Sequence, residues 1–414
     1  MRSGLKTALF TLFTLAGAPL LVCLLAVAGD RVLGRMMIPP EVRGTLELIF
    51  PPGAEQHFRS MEFAYTARIN RIGLRERELP SDPRLFRVAA IGDSYTYGWG
   101  VEAEDTWLRK TEQYLLDRGY PVFTVNMGKP GSGPPFYAEV AEKGLPIVHP
   151  KLVVVGILQG NDLAGAGPEV TLAPVSRIRQ WAWTLFPNTM RWIRNARLAR
   201  LGDARKQETP PQVSSEEDNR RWQENTARDF YEKMTPEEKA KFETIAAEVR
   251  EAFFRGEFNP YMIDLALKNP RIYMLPMNLE DPWIRQCVKN MADQLIRIRR
   301  AAEQEGATVI VLSIPDGPYV NRHALEAISR VGFETDPGLM TARNADEGPR
   351  QAAALAGLPF FTVSEGFLAH SEDPDLFFRF DGHLTAKGHA LLAELFAPRL
   401  ESFLRENHLL EPRK

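Results

Sequence analysis

Three apolar runs of strand length, each followed directly by a polar turn that is rich in glycine, constrain the fold of this chain more than any other feature. The runs are residues 86–91, 122–127 and 152–158. Their length and composition are typical of buried strands, and the third is almost wholly apolar, as expected for a strand covered on both faces. Because the carboxyl ends of parallel strands share one edge of a sheet, we expect the three turns to converge.

Helical patterns alternate with these runs through the rest of the chain. Thr106 and Thr385 each precede such a pattern and are good N-cap residues, and residues 288–305 read as an amphipathic helix. Two further strand patterns occupy residues 308–314 and 358–363. The alternation predicts an α/β domain with a parallel sheet of about five strands.

The N-terminus contains an uncharged stretch, residues 8–28, that is long enough to cross a bilayer and is preceded by Arg2 and Lys6. Its length favours a retained membrane anchor, although Ala26-Val27-Ala28 also fits a signal-peptide cleavage site. We therefore predict residues 1–29 as an anchor or signal. A short basic N-terminal tail normally stays in the cytoplasm, which predicts a catalytic domain outside it, either periplasmic or extracellular.

Two other segments stand apart from the alternating core. Residues 30–85 read as a linker with a small β element, because residues 61–69 alternate between apolar and polar side chains, and the charged residues 75–78 are expected to be a solvated face. Residues 163–285 read as a mostly helical insertion that caps the domain and walls a substrate groove. The core domain is then residues 86–162 together with 286–405.

The composition excludes several classes of function. The 414 residues carry a net charge of −2, which gives no sign of nucleic-acid binding. The two cysteines are far apart, so no disulfide framework is indicated, and no Cys/His cluster has metal-ligand spacing. We expect no cofactor and no metal.

Ser94 and His383 are the candidates for chemistry. Serine needs a base to take its proton, and that base works best when a third group orients it. Among the histidines, His383 stands out because Asp381 lies two residues away in the same loop. The alternative is a loop Asp that caps the following helix beside a surface His, and the pair taken alone favours that alternative. Backbone N–H groups of Ser94 and Gly131 and the side-chain amide of Asn161 are suitable donors to an oxyanion.

Four blocks in this order resemble the SGNH, or GDSL-type, hydrolases. The blocks are Gly92-Asp93-Ser94, Gly131 in the second turn, Gly160-Asn161-Asp162 and Asp381-Gly382-His383. The resemblance covers about residues 86–162 and 288–404. It implies a flavodoxin-like three-layer α/β/α fold, Ser94 as nucleophile, His383 as base and Asp381 as its orienter. It also implies an oxyanion hole made by Ser94, Gly131 and Asn161.

The chain departs from the family pattern at two positions. The family spacing is usually Asp-x-x-His, whereas Phe380 stands three residues before His383, so Asp381 is assigned from a shorter spacing. Gln159 replaces a frequent glycine and is expected to narrow the site slightly.

The resemblance and the predicted anchor together lead to the hypothesis of a serine esterase of the cell envelope that acts through an acyl-enzyme on small acyl esters of carbohydrate. Its partners would be an acylated small molecule or carbohydrate, and the membrane through the N-terminal helix. Two alternatives stay open: an O-acyltransferase that passes the acyl group to an envelope or exported polysaccharide, and a non-catalytic carbohydrate-binding module. The oligomeric state has no signature in the sequence.

Overall fold

The computed structural model describes residues 17–36, 48–82, 84–167, 185–186, 189, 215–341 and 343–412. The chain divides into two compact units, residues 1–46 with 169–209 and residues 47–168 with 210–414. In the first unit, the helix Ala18–Met36 carries the buried Asp30, whose carboxylate accepts hydrogen bonds from the backbone N–H (2.6 Å) and hydroxyl (2.7 Å) of Thr189.

The predicted anchor, residues 8–28, begins outside the described residues. In the part of the chain that the structure describes, no helix combines the length and the apolar composition needed to cross a membrane.

The second unit contains a two-stranded and a five-stranded sheet. The strands are β1 (Glu55–Arg59), β2 (Ala64–Arg68), β3 (Phe86–Gly92), β4 (Val122–Gly128), β5 (Leu152–Leu158), β6 (Thr308–Ile314) and β7 (Phe360–Thr362). The larger sheet has the order β4-β3-β5-β6-β7, and all of its neighbouring strands are parallel. This is the flavodoxin-like order, so the predicted parallel five-stranded sheet is confirmed.

Helices cover both faces of this sheet. Alternate residues of β3 separate into two hydrophobic clusters, with Val88 and Ala90 in one and Ala89 and Ile91 in the other. The α-helices of the second unit are Ser94–Tyr97, Trp107–Leu116, Pro134–Val148, Asp162–Gly165, Glu216–Lys233, Pro236–Phe242, Ala247–Phe254, Pro260–Lys268, Pro282–Gln304, Gly317–Val320, Arg322–Val331, Asn344–Leu355, Ser364–Leu368 and Ala386–Glu406. Short 3₁₀ helices occupy Ala103–Asp105, Ile272–Met277 and Pro337–Met340.

Helix caps explain where three of these helices begin. The side chain of Thr106 accepts from Arg109 N–H and that of Thr385 accepts from Gly388 N–H, as predicted for N-cap residues. The helix predicted to begin at residue 288 begins earlier, at Pro282. Asp281 caps it by accepting from the backbone of Trp283 and Ile284, and proline is well tolerated at the first helical position.

The expectation that residues 75–78 are a solvated face is wrong for Arg75 and Glu76, whereas Arg77 and Glu78 are exposed as expected. The Arg75 side chain is buried and donates to the carbonyl oxygens of Tyr97 (3.1 Å), Gly98 (2.8 Å) and Val101 (2.6 Å). Its guanidinium also lies over the ring of Tyr65. Burying a charge is costly unless its donors find acceptors, and here both terminal nitrogens of the guanidinium donate to backbone carbonyl groups, which fixes the loop that follows the Ser94 helix.

Candidate active site

Ser94 lies at the carboxyl end of β3, on the first residue of the short helix Ser94–Tyr97. Asp93 precedes it as the N-cap and accepts a hydrogen bond from Tyr95 N–H at 2.9 Å. Gly92 has no room for a side chain, because a Cβ there would lie 2.1 Å from Thr96 Oγ1 and 2.9 Å from the carbonyl oxygen of Gly156. The tight turn from strand to helix therefore depends on that glycine and carries the hydroxyl to the sheet edge.

The structure brings Ser94, His383 and Asp381 together. The distance from Ser94 Oγ to His383 Nε2 is 2.8 Å, and that from His383 Nδ1 to Asp381 Oδ1 is 2.6 Å. With the imidazole proton on Nδ1, the ring donates to Asp381 and accepts from the Ser94 hydroxyl. This is the hydrogen-bonded chain that nucleophilic serine chemistry requires.

Gly382 makes the short Asp-x-His spacing workable. Its φ is +83°, in the left-handed region that residues with a side chain rarely adopt. The backbone therefore turns sharply between Asp381 and His383, and their side chains meet although only one residue separates them.

Two opposing effects set the basicity of His383. Burial lowers the pKa of its imidazole, and the carboxylate of Asp381 raises it by charge and by the hydrogen bond to Nδ1. Burial is the largest single effect, but Asp381 together with the nearby carboxylates of Asp93 and Asp316 outweighs it, so the pKa of His383 lies above its ordinary value. The imidazolium that forms when the ring takes the serine proton is stabilised by the same carboxylate.

Gly131 and Asn161, the other predicted oxyanion donors, line the same cavity as Ser94. Gly131 follows β4 with a φ of +70°, and the backbone leaving β4 is tied to β3 by a hydrogen bond from Lys129 N–H to the Gly92 carbonyl oxygen (3.0 Å). Asn161 follows β5, and its exposed side chain makes no capping hydrogen bond to the helix Asp162–Gly165. Its amide is therefore available to a ligand in the cavity.

The cavity beside Ser94 has a volume of about 200 Å³ and a mixed lining. One wall comes from residues 259–273, within the range predicted as an insertion, and contributes the partly buried apolar side chains of Met262, Leu265 and Ile272. Trp99 and Tyr95 also line the cavity. The apolar wall suits the hydrocarbon part of an acyl group, whereas the carbonyl and hydroxyl groups of an ester need the polar side.

Gln159 does not line this cavity, contrary to the expectation that it narrows the site. Its buried amide nitrogen donates to Asp346 Oδ1 (2.7 Å) and Ser364 Oγ (2.8 Å), and its amide oxygen accepts from Asp316 N–H (3.3 Å). The side chain joins the end of β5 to the elements that follow β6 and β7. It is a structural link because its hydrogen-bonding groups are used internally.

Buried carboxyl groups surround the site. Burial raises the pKa of Asp93 to about 6 and that of Asp316 to about 7, and it raises the pKa of Asp162 well above the ordinary range. Asp162 accepts from Leu158 N–H at 2.8 Å and from the Tyr137 hydroxyl, which holds the turn that carries Asn161. Near neutral pH Asp93 is therefore mostly charged, and Asp316 is divided between its charged and uncharged forms.

Sequence reasoning missed two side chains that contact this site. Asp316, after β6, lines the cavity and accepts from the Tyr95 hydroxyl at 3.2 Å. Glu62, in the predicted small β element, accepts from the backbone of Phe380 and Asp381. For Asp316 the available signal was its place directly after a strand; for Glu62 the sequence carries no signal. Among the described residues no group of three or more His, Cys, Asp or Glu side chains is arranged to hold a metal ion.

Comparisons with known proteins find similar folds only among solved structures. No family model matches the chain, and no curated protein matches its sequence. A lipase/acylhydrolase from Enterococcus faecalis is 12% identical with a TM-score of 0.37, covering 80% of this chain and 100% of that one.

Two further structures give similar values. A putative lipolytic protein of the G-D-S-L family from Desulfitobacterium hafniense is 12% identical with a TM-score of 0.35, covering 75% and 98%. The acetyl xylan esterase AlAXEase is 10% identical with a TM-score of 0.36, covering 76% and 100%. The similar structures thus include proteins of the family that the motifs resemble, but scores this low carry no argument about activity, which rests on the geometry of the site.

Proposed function

We propose that this protein is an SGNH-type serine esterase of the cell envelope that uses Ser94, His383 and Asp381 as a catalytic triad. The observation that carries the proposal is the continuous hydrogen-bonded chain from Ser94 Oγ through the imidazole to Asp381, with contacts of 2.8 Å and 2.6 Å. The alternative, a loop Asp that caps the following helix, does not account for the contacts from His383 to Ser94 and to Asp381. In the structure the residue that caps the last helix is Thr385, not Asp381.

The proposed reaction has two halves. Ser94 Oγ attacks the ester carbonyl carbon while His383 Nε2 takes the hydroxyl proton, and the charge that develops on the carbonyl oxygen is met by the N–H groups of Ser94 and Gly131 and by the Asn161 amide. The tetrahedral intermediate collapses, the alcohol leaves with the proton from His383, and an acyl-serine remains. Water then attacks the acyl group, giving its proton to His383, and the carboxylic acid leaves as Ser94 recovers its hydrogen.

The proposed substrates are small acyl esters of carbohydrate. The support is the shape of the cavity, in which the apolar wall of Met262, Leu265 and Ile272 stands near the nucleophile for an acyl group. Exposed polar groups such as Asn161 line the same cavity and can meet the polar part of an ester. If a sugar hydroxyl replaces water in the second half-reaction, the same site is an O-acyltransferase for an envelope or exported polysaccharide, which is our second candidate.

We further propose that residues 1–29 anchor the protein, with the catalytic unit outside the cytoplasm. The support is the uncharged stretch of residues 8–28 behind a short basic tail. Sequencing the mature N-terminus tests this, because a first residue of Gly29 would identify a cleaved signal instead.

The experiment for the main proposal measures hydrolysis of p-nitrophenyl acetate by the full chain and by Ser94→Ala, with Ser329→Ala as the matched control at an exposed serine. Loss of the nucleophile should lower kcat by about 10⁴-fold or more, and the control should match the wild type. Wild-type rates in Ser94→Ala would place the nucleophile elsewhere.

Two further readouts separate the alternatives. A transferase shows acyl transfer to an added polysaccharide that exceeds hydrolysis, measured by mass spectrometry of the acceptor. A carbohydrate-binding module binds acylated glycans without turnover.

A further inference from the structure

The β1–β2 hairpin ends in a tight turn that places Glu62 at its tip. Ser60 N–H donates to the Phe63 carbonyl oxygen at 2.8 Å, and Ser60 Oγ accepts from the N–H groups of Glu62 (3.1 Å) and Phe63 (3.2 Å). These three hydrogen bonds fix the backbone of the turn. The position of the Glu62 backbone is therefore set by the hairpin.

The Glu62 carboxylate contacts the backbone of the loop that carries the proposed orienting residue. Its Oε2 accepts from Phe380 N–H at 3.0 Å and from Asp381 N–H at 2.8 Å. Beside it, the ring of Phe63 packs on the ring of Phe378 with the centroids 4.9 Å apart. The tip of the hairpin thus holds residues 378–381 by both polar and apolar contacts.

This contact opposes a local electrostatic cost. Burial raises the pKa of Glu62, and the nearby negative charge of Asp381 raises it further, whereas the backbone N–H groups of the loop lower it. Two carboxyl groups brought this close repel each other when both are charged, so the placement is unfavourable unless the N–H donors offset it. The hydrogen bonds to Glu62 therefore stabilise the backbone of Phe380 and Asp381, immediately before Gly382.

The loop has particular need of an external acceptor. The left-handed Gly382 turns Asp381 toward His383, and the loop itself contains Phe378 N–H donating to the His383 carbonyl oxygen (2.8 Å) and Gly382 N–H donating to the Phe378 carbonyl oxygen (3.0 Å). The N–H groups of Phe380 and Asp381 take no part in these bonds and donate to the Glu62 carboxylate instead. Without that acceptor, the backbone that aims the Asp381 carboxylate loses two charge-assisted hydrogen bonds.

We propose that Glu62 is a positioning residue that acts through Asp381, holding the Asp-Gly-His loop in the conformation in which Asp381 meets His383 Nδ1. The proposal rests on the function proposed above. It gives the hairpin, which lies outside the region resembling the hydrolase family, a role in the reaction, and it explains how a spacing one residue shorter than usual supports the same contact.

The test is a double-mutant cycle on the full chain, with kcat and KM measured on p-nitrophenyl acetate. Glu62→Ala should lower kcat by about 10- to 100-fold with little change in KM, because misplacing a catalytic group by about 1 Å has an effect of this size. In the Asp381→Asn background the same substitution should lower kcat by no more than about twofold, because two residues that act through one contact are not additive. Glu62→Gln keeps an oxygen acceptor and should recover most of the activity.

The control is Glu55→Ala, which removes an exposed carboxylate of the same hairpin that pairs with Arg68 at 3.3 Å. It should leave kcat unchanged, and thermal unfolding should show whether each variant is folded. An equal loss from Glu62→Ala in both backgrounds would overturn the proposal, as would wild-type activity in Glu62→Ala. If Asp381→Asn itself leaves kcat unchanged, the triad fails, and the Glu62 proposal fails with it.

Discussion

Asp316→Asn should reduce the dependence of stability on pH. In the folded protein this carboxyl is 5% exposed and accepts from the Tyr95 hydroxyl, and burial raises its pKa from 3.8 to about 7. Between pH 4 and pH 7 the folded state therefore keeps a proton on Asp316 that the unfolded state has lost. By linkage, the free energy of unfolding then falls as the pH rises through this window.

The magnitude follows from the size of the shift. About three pKa units at 1.36 kcal/mol each amount to about 4 kcal/mol over the whole window, and about 2 kcal/mol of this falls between pH 5 and pH 7. Asn resembles the protonated acid in shape, keeps an oxygen for the Tyr95 hydroxyl and cannot ionise. The variant should match the wild type near pH 4 and become progressively more stable than it as the pH rises.

The assay is urea unfolding of wild type and variant at several values between pH 4.5 and pH 8, with the midpoint and slope fitted at each. The matched control is Asp375→Asn, which removes a carboxyl group that lies at the surface beside Lys387. A wild-type and Asp316→Asn pair whose stability difference is constant with pH would refute the reasoning.

Three further predictions concern the reaction. Asp381→Asn should move the acidic limb of the kcat/KM profile to lower pH, because the Asp381 carboxylate contributes most of the increase in the pKa of His383, with smaller contributions from Asp93 and Asp316; an unmoved limb would assign that pKa to another group. Asn161→Ala should lower kcat by about 10²- to 10³-fold with little effect on the KM of p-nitrophenyl acetate, and unchanged kcat would remove Asn161 from the oxyanion hole. Leu265→Trp should reduce the space beside the apolar wall of the cavity, so the ratio of kcat/KM for p-nitrophenyl butyrate to that for p-nitrophenyl acetate should fall. An unchanged ratio would mean that the acyl group binds elsewhere.

The sheet was predictable because its signal is local. The runs that form β3, β4 and β5 are apolar along their whole length, and these strands are buried almost throughout. β7 was predicted as residues 358–363 but spans only Phe360–Thr362, because it is the edge strand and pairs with β6 alone. The length of an edge strand depends on pairing with a single neighbouring strand, and an apolar run in the sequence does not reveal how far that pairing extends.

The buried charges were not predictable, because their partners are distant in the chain. In the sequence Arg75 is one member of a charged run. In the structure it donates to backbone carbonyl oxygens that lie more than 20 residues further along the chain, the first of them at Tyr97. Asp316 meets the hydroxyl of Tyr95, far earlier in the chain. A sequence pattern reports a charge and its neighbours, whereas burial and pairing of that charge follow from the tertiary structure.

The site shows the same division. Ser94 and His383 were found because short motifs surround them, and the structure places their side chains in hydrogen-bonding contact. Glu62 was missed because its function, as proposed above, is to accept hydrogen bonds from two backbone N–H groups of a loop near the other end of the chain. Any residue with an oxygen acceptor fits that description in a sequence, so only coordinates identify it.

The account depends most on an activated hydroxyl at Ser94. Incubation of the full chain with a fluorophosphonate probe, followed by peptide mapping, measures this directly, with His383→Ala as the variant that lacks the base. We predict a single adduct on Ser94 in the wild type that forms far more slowly in His383→Ala. Labelling of another serine, or equal labelling rates with and without the imidazole, would contradict the account.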